Sequence, residues 1–312
     1  MAKMSMLIGG DWGGSNLRLF RYDENGVVLE TRERTAGVLA VADGTFEATL
    51  TAHLGDWLDA APVRIVLSGM IGSRQGWQEA SYAPCPADAE AIAALAQRVA
   101  SPLGDVRILP GAQVTRVDGC IDVMRGEETQ VFGVQSMGAR AGDTATRLVV
   151  MPGTHSKWVR IEGGRIVDFT TYMTGELYAV LKTHSILGRL MDGDAADAHA
   201  FATGVQRTLA DPALSKWLFS ARSEGLFGRI APVALASYLS GLLIGAEVGA
   251  AMRETDVRSA TIVATPELAR NYRIALQLAG FDTIEVVDGA QASAAGLWRL
   301  ANALPLDSGV RE

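Results

Sequence analysis

The first twenty-two residues set a pattern that organises the whole chain. In LIGGDWGGSNLRLFRY (residues 7–22) an apolar run ends in Asp11, gives way to glycines and small polar residues, and resumes as alternating apolar and polar positions. This reads as strand, glycine turn, strand. DENG (Asp23 to Gly26) then predicts a hairpin turn into the strand VVLETRER. Amphipathic spacing predicts a helix over 45–60, and VRIVLSGMIGS reads as a buried strand that ends in glycines. ADAEAIAALAQRVA reads as a helix, VRILPGAQ as a strand, and a short strand is expected around Ile121. After Gly126, EETQVFGVQSMGAR has helical spacing.

At residue 147 the opening pattern returns. RLVVMPGTHSKWVRIEGGRIVDF again predicts strand, glycine turn, strand, a Gly-Gly hairpin turn, and strand. At an offset of 140, Gly13 falls on Gly153 and Leu19 on Val159. A repeat of this size implies two similar lobes, with a boundary in the polar, small-residue stretch GARAGDTATR. The expected division is residues 1–145 and 146–312. Beyond the repeat the chain is mostly helical to about residue 252, and then predicts strand, helix, strand and a final helix through GAQASAAGLWRL.

Composition narrows the function. With 48% hydrophobic and 20% charged residues the chain can bury a core. A net charge of −7 argues against a nucleic-acid binder. Two cysteines, Cys85 and Cys120, form no disulfide or zinc framework, and the four histidines show no zinc spacing. MAKMSM leads into a strand without the apolar core of a signal peptide. The apolar segment VALASYLSGLLIGAEVGAAM contains Glu247 and suits a buried helix better than a membrane span. These features together predict a cytoplasmic protein without membrane or nucleic-acid partners, with a homodimer as one possible assembly.

Turns built with little side chain expose backbone N–H groups, and such nests hold phosphate oxygens. Two of them, one in each lobe, would grip a polyphosphate across a cleft. The copies differ in charge: Asp11 in the first corresponds to Met151 in the second. One carboxylate at the rim of a phosphate nest suits Mg²⁺, which uses one or two carboxylates and keeps most of its waters. The expectation is ATP and Mg²⁺, with Asp11 as metal ligand and phosphoryl transfer as the reaction. Gly13, Gly14, Ser15, Asn16 and Arg18 would meet the phosphates from one lobe. Gly153, Thr154, His155, Ser156 and Lys157 would meet them from the other.

The two hairpins resemble the phosphate-1 and phosphate-2 elements of the actin-like ATPase and sugar kinase superfamily. GDWGGSNLRLF, LSGMIGSRQGW, DVMRGEETQVFG, MPGTHSKW and MTGELYAVLKTHSILGRL resemble in particular the 2-dehydro-3-deoxygalactonokinase family. The resemblance implies an α/β, two-lobe, ribonuclease-H-like actin-type fold with a central cleft. It also implies ATP-dependent phosphorylation of 2-dehydro-3-deoxy-D-galactonate on its 6-hydroxyl, in galactonate breakdown. Two features depart from the superfamily: phosphate-2 opens on Met151 in place of an acid, and TIVATPELARNY lacks a glycine-rich adenosine loop.

Related kinases carry a general base at the start of a first-lobe helix. Glu127 and Glu128 are candidates here, with Asp122 next; acids in a first helical turn also simply complement the helix dipole. Arg125 could pair with the substrate carboxylate or lie on the surface. Gly72, Ser73 and Trp77, at a strand's carboxyl end, are expected to bind the sugar acid, with Glu176 from the second lobe. Gly241, Gly245, Thr265 and Pro266 are candidates for the adenosine side by position, or pack helices. The rival readings are a kinase of another sugar or sugar acid, a non-catalytic sugar sensor, and an ATPase module driving a partner.

Overall fold

The structure, a computed structural model, describes residues 6–42, 44–59, 63–138, 146–193 and 195–305. Residues 139–145, the greater part of the expected linker, and residues 1–5 lie outside the described residues. The chain divides into two compact units. The first comprises the described residues within Met1–Ala145, Ile161–Asp168 and Gly289–Glu312; the second comprises those within Thr146–Arg160 and Phe169–Asp288.

In the first unit the opening pattern becomes strands β1 (Met6–Trp12), β2 (Leu17–Tyr22) and β3 (Val28–Arg34). The β2–β3 turn is closed by Asp23, whose Oδ1 accepts from the amides of Asn25 and Val27 at 2.9 and 2.8 Å. Strands β4 (Val63–Ser68), β5 (Tyr82–Pro84), β6 (Gln97–Val99), β7 (Asp105–Ile108), β8 (Gly111–Thr115) and β9 (Ile121–Met124) follow. Six of them form a sheet in the order β3-β2-β1-β4-β7-β6, while β5-β8-β9 make a smaller one. Strands β1, β2 and β3 pair antiparallel in turn; β4 lies parallel to β1, and β7 parallel to β4. Ile8, Leu19, Ile65, Leu67, Val106 and Ile108 alternate into one core with Leu50, Leu54 and Trp57. Leu50 and Leu54 come from helix α1 (Phe46–Leu54).

Two sequence expectations fail here. The helix predicted over 87–100 is only α2 (Ala89–Ala94), and Gln97–Val99 instead pairs antiparallel with β7. Val99 is buried in the sheet core there, so burial at a sheet edge outweighs local helix propensity, which tertiary packing overrides even beside an Ala-rich run. The strand predicted as VRILPGAQ is broken at Leu109–Pro110 into β7 and β8, which belong to different sheets.

Helix α3 (Glu127–Gly138) starts where RGEETQ predicted it. In the second unit, β10 (Arg147–Met151), β11 (Ser156–Glu162) and β12 (Arg165–Tyr172) repeat the opening meander. Helices α4 (Thr174–His184), α5 (Ala198–Ala210), α6 (Leu214–Leu218), α7 (Ser220–Leu226) and α8 (Leu235–Ala251) fill the helical stretch. Then come β13 (Ser259–Val263), α9 (Pro266–Leu278), β14 (Thr283–Val287) and α10 (Gly289–Ala303). The sheet order β12-β11-β10-β13-β14 repeats the first sheet's β3-β2-β1-β4-β7 strand for strand. The apolar helix α8 is long enough to cross a membrane by length and composition. In this fold it is a core helix, with Leu239, Leu242 and Val248 wholly buried.

The last helix corrects the expected second lobe of 146–312, since α10 groups with the first unit. Its packing against α3 is backbone on backbone. A methyl group at Gly133 would lie 1.9 Å from the Ala292 carbonyl, and one at Gly296 would lie 1.8 Å from that of Thr129. Only glycines permit that approach, and it carries Ser293 to the end of β1.

Candidate active site

The first turn, Gly13 to Asn16, is held entirely through its carbonyls. Gly13 N–H donates to Asn16 O at 2.9 Å. Gly37, Val38 and Leu39 donate to the carbonyls of Ser15, Gly13 and Gly14 at 3.0, 3.0 and 3.2 Å. Among the described residues no hydrogen bond engages the amides of Gly14, Ser15 and Asn16. A methyl group at Gly37 would lie 2.2 Å from Gly14 O, so the turn rests directly on that glycine. With its carbonyls tied down and its amides unused, the turn has the donor arrangement of a phosphate nest.

Asp11 is the next-to-last residue of β1, with Arg18 opposite it on β2 and Ser68 on β4. Ser293 donates its hydroxyl to Asp11 Oδ2 at 2.8 Å, and Gln130 Nε2 in turn donates to Ser293 at 3.1 Å. Burial pushes the Asp11 carboxyl up, opposed by the Ser293 hydrogen bond and by Arg18. Among the described residues Oδ1 has no hydrogen-bond partner, leaving it open to a ligand. Arg18 is itself bound to Glu33 at 2.7 Å.

Two glycines at positive φ bring the start of α3 to this strand end. Gly69 (φ +94°) sits where a methyl group would lie 2.8 Å from Trp12 O and 3.5 Å from Asp11 Oδ1. Gly126 (φ +108°) sits where one would lie 3.2 Å from the Gly69 Cα. Gly72 is next, packed so that a methyl group would lie 2.9 Å from Arg125 Nη1. The Arg125 guanidinium lies 4.2 Å above the Tyr82 ring and donates Nη2 to Ala80 O at 2.7 Å. Its Nε and Nη1 are buried without a hydrogen-bond partner among the described residues, and so is Ser73 Oγ. Trp77 packs instead against the sheet core.

The three candidate bases separate. Glu128 is wholly buried; its Oε2 accepts from Gly126 N–H at 2.7 Å and its Oε1 from the Thr129 hydroxyl at 3.2 Å. Burial, with the charge of Glu127, pushes it up to about 8. Against the expectation that Glu128 meets substrate, the structure turns its carboxyl inward onto Gly126 and Thr129. Asp122 is taken up by Arg116 at 3.2 Å across the small sheet. Glu127 is part-exposed, with Oε2 accepting from the Arg125 amide at 2.9 Å.

In the second unit, Gly153 to His155 form the matching turn. A methyl group at Gly175 would lie 2.3 Å from Gly153 O, and Glu176 N–H donates to Thr154 O at 3.0 Å. His155 Nε2 and Glu176 Oε2 lie 2.5 Å apart at the surface, so Glu176 partners the turn histidine. Ser156 corrects another expectation. It is buried, and its hydroxyl donates to Glu247 at 2.7 Å rather than pointing outward. Lys157 is also buried, with Nζ donating to Thr171 Oγ1 at 2.9 Å.

A cavity of about 510 Å³ opens beside this turn, lined by Gly153, Thr174, Phe201, Ser240, Asn271 and Tyr272 among others. That volume is in the range of small-molecule sites. Gly241 and Gly245, expected on the adenosine side, do not line it. Methyl groups there would lie 2.1 Å from Phe201 O and 2.4 Å from Thr208 Oγ1, so both glycines serve the packing of α8 on α5. Thr265 and Pro266 are exposed at the start of α9, also outside the cavity lining. The sequence reading passed over Ser293, Gly37, Gly175 and the cavity residues of α5 and α9. Gly37 and Gly175 each lie three residues after the third strand of a meander, a signal within reach of the repeat.

Comparison with known proteins places this arrangement. The chain matches the family model described as 2-keto-3-deoxy-galactonokinase over residues 11–300. It is 40% identical to a Rhizobium meliloti (strain 1021) protein named a probable 2-dehydro-3-deoxygalactonokinase, over 94% of this chain and 96% of that one. It is 36% identical to the 2-dehydro-3-deoxygalactonokinase of Escherichia coli (strain K12), over 94% and 97%. A crystal structure of a Sinorhizobium meliloti protein named for the same activity superposes with a TM-score of 0.88 at 37% identity, covering 96% of this chain and all of that one. The Acidaminococcus fermentans (R)-2-hydroxyglutaryl-CoA dehydratase component A shares the fold alone, with a TM-score of 0.51 at 10% identity. The fold is that of the actin-like ATPases and sugar kinases, and the chain belongs to the 2-keto-3-deoxy-galactonokinase family.

Proposed function

We propose that the protein transfers the γ-phosphoryl group of ATP to the 6-hydroxyl of 2-dehydro-3-deoxy-D-galactonate. The observation that carries this reading is the Arg125 guanidinium, with two buried N–H groups lacking a protein acceptor, in the same strand-end cluster as Asp11. A sugar acid needs a cation for its carboxylate, and the Nη1 edge of a planar guanidinium offers that charge a donor of fixed direction. Ser73, whose hydroxyl also lacks a partner, supplies a further donor or acceptor beside it.

The amides of Gly14, Ser15 and Asn16 bind phosphate oxygens, and in the second unit the turn at Gly153, Thr154 and His155 does the same. Lys157 adds positive charge behind that turn. The cavity beside it takes the adenosine. Asp11 fits Mg²⁺, since one oxygen is fixed by Ser293 while the other is open, and a single carboxylate with phosphate and water ligands suits this ion. When bound there, Mg²⁺ neutralises charge on the phosphate oxygens. Glu127 is the acid that accepts the proton from the attacking hydroxyl, being the partly exposed member of its pair next to Gly126. The free thiols Cys85 and Cys120 fit the reducing cytoplasm, where ATP is supplied.

The test is an assay of the purified protein with Mg-ATP and the galacto and gluco forms of the 2-dehydro-3-deoxy acid, beside hexoses and a no-sugar control. ADP release that requires the galacto acid is the expected result. A preference for a hexose would reassign the substrate, ATP turnover without sugar would make the protein an ATPase module, and binding without turnover would make it a sensor.

A further inference from the structure

We propose that Glu247 is a positioning residue for nucleotide binding, a single buried carboxylate that fixes the second phosphate turn and one wall of the adjoining cavity together. The proposal rests on the reading that this turn and cavity take ATP. Glu247 stands in the middle of the apolar helix α8 with 3% of its surface exposed. An acid in such a place costs stability unless donors surround it. Its Oε1 accepts from Ser156 Oγ and Trp158 Nε1, each at 2.7 Å, and its Oε2 from the Tyr272 hydroxyl at 2.8 Å. The Thr174 hydroxyl donates to the same carboxylate.

The identity of these donors carries the inference. Ser156 is the residue at which the turn Gly153 to His155 enters β11. Thr174 begins α4, directly before Gly175, on which the turn rests. Tyr272 belongs to α9, and both Thr174 and Tyr272 line the cavity, as does Ile244 one helical turn before Glu247. One carboxylate therefore ties together the turn, the glycine step beneath it, and the cavity wall. An apolar residue of similar size would satisfy the packing of α8 but would take the shared acceptor from all four donors.

Replacing Glu247 by Gln separates positioning from folding. Trp158 N–H can only donate, so the Gln carbonyl must take the Oε1 place and serve Ser156 and Trp158. The amide nitrogen then faces Tyr272, a side chain of the cavity wall, and can only donate to its hydroxyl, whose own proton must turn to Ser156 Oγ, 3.3 Å away. We expect E247Q to weaken ADP binding, measured by calorimetry, and to raise the KM for ATP about tenfold, through the reversed Tyr272 contact and the loss of charge assistance across the network. The KM for the sugar acid should stay within about twofold. A fall in Tm with both KM values unchanged would make Glu247 structural only and overturn the proposal. Should E247Q fail to fold, Tyr272→Phe removes one donor and keeps the ring; it should raise the KM for ATP in the same direction, and no change would overturn the proposal equally. Ser240→Phe, which narrows the cavity without touching the carboxylate, checks the underlying reading. Unchanged ATP binding in S240F refutes the cavity assignment itself, whereas weakened binding in S240F with normal binding in E247Q refutes only the role of Glu247.

Discussion

Arg125→Met offers the sharpest test of the substrate assignment, because the structure makes its energetic consequences opposite in sign with and without ligand. In the free protein the guanidinium gains a hydrogen bond to Ala80 O and a stacking contact with Tyr82, but leaves Nε and Nη1 buried and unpaired. Each orphaned donor costs about 1–3 kcal/mol, and the cation–π contact returns about 0.5–2 kcal/mol. The free R125M protein should therefore be within about 1 kcal/mol of wild type, or more stable. With substrate bound, the Nη1 edge of the cation meets a carboxylate, and losing that charge-assisted contact should cost about 3 kcal/mol, or about a hundredfold in KM for the sugar acid. The KM for ATP should be unchanged. Thermal shift gives a second readout. At a sugar-acid concentration of about 100 times Kd the wild type gains about 2.7 kcal/mol, while a variant binding a hundredfold more weakly gains about 0.4 kcal/mol. Arg125→Lys should recover little, since an ammonium lacks the fixed planar donors of a guanidinium. A substrate analogue reduced to an alcohol at C1 should be used equally by wild type and variant. If R125M instead keeps its KM within about twofold and melts several degrees lower, Arg125 is a structural residue and the carboxylate sits elsewhere.

Other expectations follow from the same geometry. Asp11→Asn keeps size and the Ser293 contact but removes the charge, so turnover should fall about a thousandfold or more with the melting temperature retained; unchanged kcat would remove the metal assignment. Glu127→Gln should lower kcat about a hundredfold or more with both KM values little altered, whereas Glu128→Gln should retain kcat; the reverse result would restore Glu128 as the base. The folded-state pKa of Glu128, about 8, lies above its ordinary 4.5. The folded protein therefore holds a proton that the unfolded chain releases between those values, and this group's contribution to stability falls as pH rises through that window. Melting curves of E128Q should accordingly overtake those of wild type at about pH 8–9 but not at about pH 5, and parallel curves would show that the carboxyl titrates normally. Gly175→Ala sets a methyl group 2.3 Å from Gly153 O, and this overpacking should raise the KM for ATP about tenfold while sparing that for the sugar acid, which an unchanged KM would contradict.

The parts of this protein that were legible in the sequence are those specified locally. The β1–turn–β2 unit, its second copy, and the start of α3 after Gly126 all follow from periodicity and turn chemistry within about twenty residues. What escaped depends on partners distant in the chain. Ser293 touches Asp11 across 282 residues of sequence, and nothing near Ser293 in GAQASAAGLWRL signals that contact. The glycines of α3 and α10 that permit it, Gly133 and Gly296, read in the sequence only as small residues within helical spacing. Gly241 and Gly245 misled for the complementary reason: glycines in a helix near a nucleotide side suggest ligand approach, yet it is the α5 backbone that occupies the space. Glu247 was visible as an oddity in an apolar helix, but its four donors come from β11, α4 and α9. Glu127 and Glu128 are adjacent in sequence, and only the three-dimensional packing turns one inward.

The duplication also shows which features of a phosphate turn are mechanical and which are chemical. In both copies a glycine three residues beyond the third strand lies beneath the turn, where a methyl group would strike a turn carbonyl at 2.2 or 2.3 Å. In both, the residue after that glycine donates its amide to the turn, Val38 to Gly13 O and Glu176 to Thr154 O. The support is thus repeated in kind, a glycine step with an amide donated to a turn carbonyl, although the carbonyl that accepts differs by one position. The side chains are not. Asp11, fixed by a serine hydroxyl, stands where the second copy has the buried Met151. Past the turn, the buried Leu17 of the first copy corresponds to Lys157 of the second. On the proposed function, a carboxylate at 151 would repel the phosphate oxygens assigned to its turn, and a lysine at 17 would offset the charge that Asp11 is proposed to supply for a cation. Backing that keeps amides free is useful to any phosphate site, so both copies hold it. On the proposed function one turn is matched to a cation and the other to anionic oxygens alone, and it is in that charge that the copies differ.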